Sequence, residues 1–229
     1  MKHFLATTGI SELWDINSNL ILLGPWCLSD KKNRLLLQDK SYSFAPSPWH
    51  PSIKIKESAD LCQGIYEETF NELSDQLNQM HAVSYDARYW RVLIGAWLMD
   101  FIQILYDRYV RIENVFSICP DAYSFTLSKS LCKLYAIDAY DAMSIRGKAT
   151  DDYYNLKLFS LILNYVCPSK SLERNLSQSL IETRIIPSSN FTRKLFYGIK
   201  KCKDIFYSPN IILNDMHKFN CDQMLSLEF

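Results

Sequence analysis

Asp100 stands between Met99 and Phe101 in a strongly apolar run, and a carboxylate in such a place is costly unless it is paired or lines a cavity. Gln103 and Asp107 follow at three- and four-residue steps, so a helix would carry all three on one strip. A strip of this kind can take a proton from a hydroxyl, and His81, Asp100 and Asp107 are the candidate catalytic groups. Exposure on the far side of the helix would instead make the strip an ordinary surface. Asp107 and Arg111, at i and i+4, read as a structural helix pair. At the entrance of the same run stand His81, Tyr85, Asp86, Arg88, Tyr89 and Arg91. Arg88 and Arg91, three apart, fit an anion clamp for a phosphate, carboxylate or sugar acid, helped by the positive end of a helix. Equally open is an intramolecular ion pair with Asp86 or with the acidic segment before it.

Two tryptophan-bearing turns add candidates. LGPWC, with Gly24 and Trp26, ends an apolar run as a strand would, and a strand's carboxyl edge in an α/β sheet is a usual place for a ligand. PSPWHP carries Trp49 beside His50. Each tryptophan could stack on a sugar or a base, or simply pack a turn. Phosphate-loop, dinucleotide-binding, nucleophile-elbow and zinc-protease signatures are absent, so no cofactor is expected. His3, His50, His81 and His217 are dispersed, and the seven cysteines form no CxxC pair, so no metal is expected and the thiols suit a reducing cytosol.

Several elements must position these groups. In residues 85–116 Trp90, Ile94, Trp97, Leu98, Phe101, Ile102, Leu105, Tyr109 and Ile112 recur at helical steps. Residues 60–80 do the same, with Ser58 or Asp60 as a cap, and Ser84 could cap the longer helix, so the two form a hairpin over 60–116. Residues 3–7 and 19–23 read as strands, the second covered on both faces, with a helical turn possible at SELWD. Residues 28–52 read as a long loop, 124–137 and 138–144 as short helices, the turn at 146–148 as their end, and 151–166 as a further helix. From Pro168 the chain turns polar, with a helical pattern only at 191–207. The expected fold is α/β, a small parallel Rossmann-like sheet near the N-terminus with a mainly helical remainder.

In 229 residues, 48% hydrophobic and 14% aromatic, there is ample material for a core, and 25 basic against 25 acidic residues produce no field that would draw the chain to nucleic acid. Lys200, Lys201 and Lys203 make only a small basic run. Residues 92–106 are too short and too interrupted for a spanning helix, and the N-terminus has no secretory pattern. A cytoplasmic location is therefore expected, and the sequons at Asn175 and Asn190 read as chance matches.

FLATT, ELWD, ILLGPWCL, PSPWH and RYWRVLIGAWLMDFIQILYDRY resemble, in order and spacing, a bacterial family of transferases encoded in surface-polysaccharide and lipopolysaccharide gene clusters. The resemblance covers the first half to two-thirds of the chain. It implies a GT-B-like glycosyltransferase with two Rossmann-like halves around a cleft, a sugar nucleotide as donor and a glycan as acceptor. Gly24, Trp26, Trp49, His81, Arg88, Tyr89, Arg91, Trp97 and Asp107 match its pattern and would line the acceptor side, all but the two catalytic candidates as substrate contacts. Members of that family are longer, with a second half that grips the donor. The expectation is thus an acceptor-side domain at 1–167, a polar extension at 168–229, and a donor half supplied by a missing domain or a partner chain. An inactive remnant, or a non-catalytic interaction or scaffold protein, is the alternative.

Overall fold

The unbroken apolar run at residues 19–23 forms strand β2 (Asn19–Leu22), and its side chains enter two different cores in alternation. Leu20 and Leu22 pack with Phe4, Ala6, Trp14, Cys27 and Leu37, whereas Ile21 and Leu23 share the larger core with Leu5 and the long helices. Burial on both faces is why the run shows no polar alternation. The computed structural model describes residues 2–49, 53–132, 134 and 148–174.

Strand β1 (His3–Ala6) pairs with β2 in parallel, Phe4 opposite Leu20, and β2 pairs in parallel with β3 (Tyr42–Phe44). On the other side of β1 lies β4 (Ser124–Thr126), joined by a parallel bridge between Phe4 and Tyr123 and by bonds from Leu5 N to Tyr123 O (2.8 Å) and Tyr123 N to His3 O (3.0 Å). β5 (Ser171–Glu173) pairs in parallel with β4. The spatial order is therefore β3-β2-β1-β4-β5, and the chain reverses its direction of travel across the sheet between β1 and β4. A parallel α/β sheet with a mainly helical remainder is the observed fold.

Among the described residues four α-helices accompany the sheet: α1 (Lys31–Leu36), α2 (Ile53–His81), α3 (Ala87–Ile118) and α4 (Asp152–Val166). At a rise of about 1.5 Å per residue, α2 and α3 are about 43 and 48 Å long. Their shared seam is apolar, with Tyr66, Phe70, Leu73 and Leu77 of α2 in one cluster with Trp90, Ile94, Trp97, Leu98 and Phe101 of α3. Gly95 permits the close approach, since a Cβ there would come within 2.8 Å of the Tyr66 hydroxyl. Asn78 ties the turn: its amide donates to Tyr85 O (2.9 Å), and its carbonyl accepts from Tyr85 N (3.0 Å) and Trp90 Nε1 (2.9 Å).

Four local expectations are corrected. Helix α2 begins at Ile53, so Ser58 and Asp60 lie inside it and cannot cap it; Ile53 and Ile55 are exposed, which removes the apolar period from its first turns. Asp86 rather than Ser84 caps α3, its carboxylate accepting from Tyr89 N at 2.8 Å. The supposed loop at 28–52 contains α1, capped by Asp30 ahead of the proline-rich stretch, and the edge strand β3, whose three residues are all exposed and carry no core-facing pattern. The supposed helix at 124–137 starts as β4, because Tyr123 and Ser124 bond to β1, with Ser124 Oγ donating to Leu5 O at 2.8 Å. Within the expected polar extension, residues 171–173 form β5. The readings at 138–144 and 191–207, the glycine of the turn at 146–148, and His50, Asn175, Asn190, the lysine run and His217 lie outside the described residues.

Asp15 fastens the β1–β2 connection to the start of β4. Its carboxylate accepts from the Tyr123 hydroxyl, from Ser18 Oγ (2.9 Å) and from Asn17 N (3.2 Å). The Tyr123 hydrogen bond is the main reason its pKa lies below the ordinary value, against a smaller opposing effect of burial.

Two stability measurements check this account. Leu98 is fully buried in the hairpin seam, so Leu98→Ala should cost about 2–5 kcal/mol in urea denaturation, whereas Val92→Ala, at an exposed position, should stay within about 0.5 kcal/mol of wild type. Asp15 has a folded pKa below its unfolded value of about 3.9, so its contribution is present above that value and is lost as pH falls through the folded one. Asp15→Asn should accordingly be less stable at neutral pH and lose less stability on acidification; denaturation curves of parallel slope in acid would contradict this.

Candidate functional site

The loop leaving β1 is held rigid by donors from three other segments. Thr7 O accepts from Trp26 Nε1 (2.9 Å), Thr8 O from Trp14 Nε1 (2.9 Å), and Gly9 O from Asn33 Nδ2 (2.7 Å), which also donates to Cys27 O (2.9 Å). Gly9 N donates to Asp152 Oδ1 at the start of α4 (3.1 Å). The turn after β2 needs Gly24 because the Trp26 ring folds back over it; a Cβ at Gly24 would lie 2.1 Å from that ring. Gly24 and Trp26 thus sit at the sheet's carboxyl edge.

Helix α3 passes over this edge. Asn114 Nδ2 donates to Pro46 O just beyond β3 (3.0 Å), and the Arg111 guanidinium lies over the Trp26 ring at 5.3 Å. One turn earlier is Asp107, on which three side chains converge: Trp49 Nε1 donates to Oδ1 (2.7 Å), Arg108 Nη1 to Oδ2 (2.6 Å), and Arg111 Nε to both oxygens (2.9 and 3.0 Å). Arg108 continues to α4 through Asn155 Oδ1 (3.2 Å) and to Ala149 O (3.3 Å). Asp107, Arg108 and Arg111 are each about a fifth exposed.

Beside this cluster lies a groove of about 250 Å³ lined by Asp100, Gln103, Ile104, Asp107 and Arg108. The strip foreseen from spacing is thereby a wall of a concavity. Asp100 and Gln103 are exposed in it and meet no hydrogen-bond partner among the described residues. Asp107 differs: its lone pairs are committed to N–H donors.

The structure separates the other candidates from this place. Arg91 lies 16 residues before Asp107 on the same helix, about 24 Å along the axis. Its guanidinium forms a two-pronged pair with Glu67 of α2 (2.8 and 2.9 Å) and lies over the Phe70 ring at 4.3 Å, and the pairing lowers the Glu67 pKa. Arg91 therefore ties the hairpin rather than facing the groove. Arg88 and Tyr89 are exposed at that end, Tyr89 against Tyr85 with ring centres 4.1 Å apart, and the exposed His81 lies 6.1 Å from Trp90. Trp97 is buried in the hairpin core, stacked on Phe101 at 5.5 Å. So Gly24, Trp26, Trp49 and Asp107 come together with Asp100 nearby, while His81, Arg88, Tyr89 and Arg91 form a second neighbourhood and Trp97 neither.

The sequence marks Arg108 as one of the ionisable groups threaded through the apolar run but assigns it no role, and it does not single out Asn155. Arg108 follows Asp107 directly and could have been suspected from that; Asn155 is 47 positions away and no local signal points to it. Thiol chemistry is disfavoured here, because burial pushes Cys27 up to about 12 and Cys132 up to about 11, leaving both protonated. Among the described residues no group of three or more His, Cys, Asp or Glu is placed to hold a metal, and no helix is long and apolar enough to cross a membrane.

Comparison with known proteins adds one result. Residues 3–229 match the family model described as LIC12162 family transferase. No curated protein and no solved structure matches the chain.

The cluster's central role is open to measurement. Asp107→Ala would strand two partly buried guanidinium groups, and the expected loss is about 3 kcal/mol, the low end for a buried pair because the groups keep some solvent. Trp49→Phe, which removes one donor and keeps the ring, should cost no more than about 1.5 kcal/mol. Equal losses in the two variants by chemical denaturation would refute Asp107 as the hub.

Proposed function

Since this chain belongs to the LIC12162 family of transferases, we propose that it works in the cytoplasm, moving a glycosyl group from a sugar nucleotide to a hydroxyl of a bacterial surface-polysaccharide acceptor bound in the α3 groove. The observation that carries this reading is Asp100: a carboxylate with free lone pairs in a concavity on α3, two turns along the helix face from the guanidinium cluster that meets the carboxyl edge of a parallel sheet through Arg111 and Trp26. Ligands favour that edge. The sheet order and the tryptophan turns also fit the acceptor half of a two-domain transferase, with the donor nucleotide gripped by a second half.

In this reaction the acceptor hydroxyl attacks the anomeric carbon, a new C–O bond forms, and the bond to the leaving phosphate oxygen breaks. The nucleoside diphosphate departs with the electron pair, and Asp100 takes the hydroxyl proton. Asp107 serves as a positioning residue, because Trp49, Arg108 and Arg111 occupy its oxygens. Trp26 and Trp49, both partly exposed, offer ring surface to a sugar. Gln103 can hold a further acceptor hydroxyl.

A second reading, a non-catalytic interaction protein, is favoured by the apolar side chains exposed on the hairpin: Ile53, Ile55, Leu61, Tyr85, Tyr89 and Val92. Transfer of labelled sugar from a panel of sugar nucleotides to surface-polysaccharide acceptors decides between them. The enzyme reading expects turnover, with Asp100→Asn lowering kcat by about 100-fold or more at little change in KM. Unaltered kcat in Asp100→Asn would remove the base assignment, and absence of transfer from every donor would favour the interaction protein.

A further inference from the structure

Arg111 is the least committed cation of the cluster. Its Nε donates to Asp107, and its Nη groups donate to nothing among the described residues. A guanidinium carries five N–H donors, so four stay unused on Arg111. Arg108 spends three, on Asp107, Asn155 and Ala149, and keeps two. Six donors on two side chains that are 20% and 23% exposed are thus left to water or to a ligand. Two guanidinium groups pair with one carboxylate, and among the described residues Asp100, the other carboxylate of the groove, pairs with neither.

The geometry of Arg111 is fixed before any ligand arrives. Asp107 grips its Nε, and the Trp26 ring lies under its guanidinium at 5.3 Å. That ring is itself pinned by Nε1 to Thr7 O and settles over Gly24. A planar fork held at one edge and backed on one face presents its remaining N–H groups in a set direction, which reduces the entropy lost on binding. Six unspent N–H donors on two cations call for an oxyanion. A carboxylate offers about four lone-pair sites, too few for six donors, whereas the three oxygens of a terminal phosphoryl group offer about six or more.

We infer that Arg111, with Arg108 beside it, is the receptor for a phosphoryl group next to the α3 groove, which Arg108 lines. This rests on the reading of the groove as a transfer site, and it names what that site holds. The phosphoryl group belongs either to the diphosphate of an activated donor or to a phosphate ester on the acceptor; the recognising chemistry is the same.

Calorimetric titration of the full chain at constant ionic strength tests this with inorganic pyrophosphate, a sugar phosphate monoester and acetate. Saturable binding of the phosphoryl compounds is expected, with acetate at least about tenfold weaker. Arg111→Gln should weaken pyrophosphate by about tenfold or more, and Arg111→Lys should fall between, since it keeps the charge and loses the fork. Pyrophosphate binding tighter than the monoester assigns the site to a donor diphosphate; the reverse assigns it to a phosphorylated acceptor. Absence of saturable binding in wild type, acetate binding as tightly as pyrophosphate, or wild-type affinity in Arg111→Gln overturns the inference. If Arg111→Gln lacks a cooperative thermal transition, Arg111→Lys decides, and wild-type affinity there overturns it. Pyrophosphate binding without any glycosyl transfer would leave this site standing while removing the proposed reaction, so the two can fail separately.

Discussion

One carboxylate joins four parts of this molecule. Asp107 receives Trp49 from the loop after β3, Arg108 and Arg111 from its own helix, and through those arginines it reaches α4 at Asn155 and the β2 turn at Trp26. Each partner comes from a segment whose backbone is fixed elsewhere, so the carboxylate sets how α3 lies against the sheet's carboxyl edge. The groove exists because α3 is held in that place, with Asp100, Gln103 and Ile104 one or two turns up the same face. Remove the carboxylate, and two guanidinium groups repel each other where only a fifth of their surface reaches water.

A second constraint fixes the edge itself. Thr7, Thr8 and Gly9 lead away from β1, and their carbonyls are satisfied by two tryptophans and an asparagine instead of by a neighbouring strand. Buried backbone oxygens need partners. Here side chains from three segments supply them, and the loop at the point where the sheet's connections reverse is rigid as a result. Trp26 serves twice, bonding β1 through its nitrogen and backing Arg111 with its ring. Its position ties the shape of the edge to the direction of the guanidinium fork.

The sequence announces those elements whose burial leaves a regular imprint. β1, β2, α3 and α4 are legible because each drives a continuous or periodic set of apolar residues into a core. α1, β3 and the first turns of α2 are not, because Leu35, Tyr42, Phe44, Ile53 and Ile55 are exposed and leave no pattern. β4 misled for a different reason: its identity comes from hydrogen bonds to β1, which no local period records. The site divides in the same way. Spacing put Asp100, Gln103 and Asp107 on one face and paired Asp107 with Arg111, and both relations hold within a single helix. Spacing alone could not say that Arg91 would find Glu67 across the hairpin, or that Arg108 would find Asn155 after a gap of 47 residues. Position along a helix fixes face and height; which other element arrives there is a property of the whole chain.

Stability alone does not account for the ionic cluster. Partly buried pairs lose much of their Coulombic gain to desolvation, and apolar replacements of similar volume are often as stable or more so. The hairpin shows that this chain can build such packing, since a few turns away α3 buries Trp97, Leu98, Phe101 and Ile102. An arrangement of two arginines on one aspartate is poorer still as a structural device, because it leaves N–H donors unspent. A matched pair would have anchored the helix at lower electrostatic cost. The spare donors become intelligible beside the groove, where a bound oxyanion would take them up.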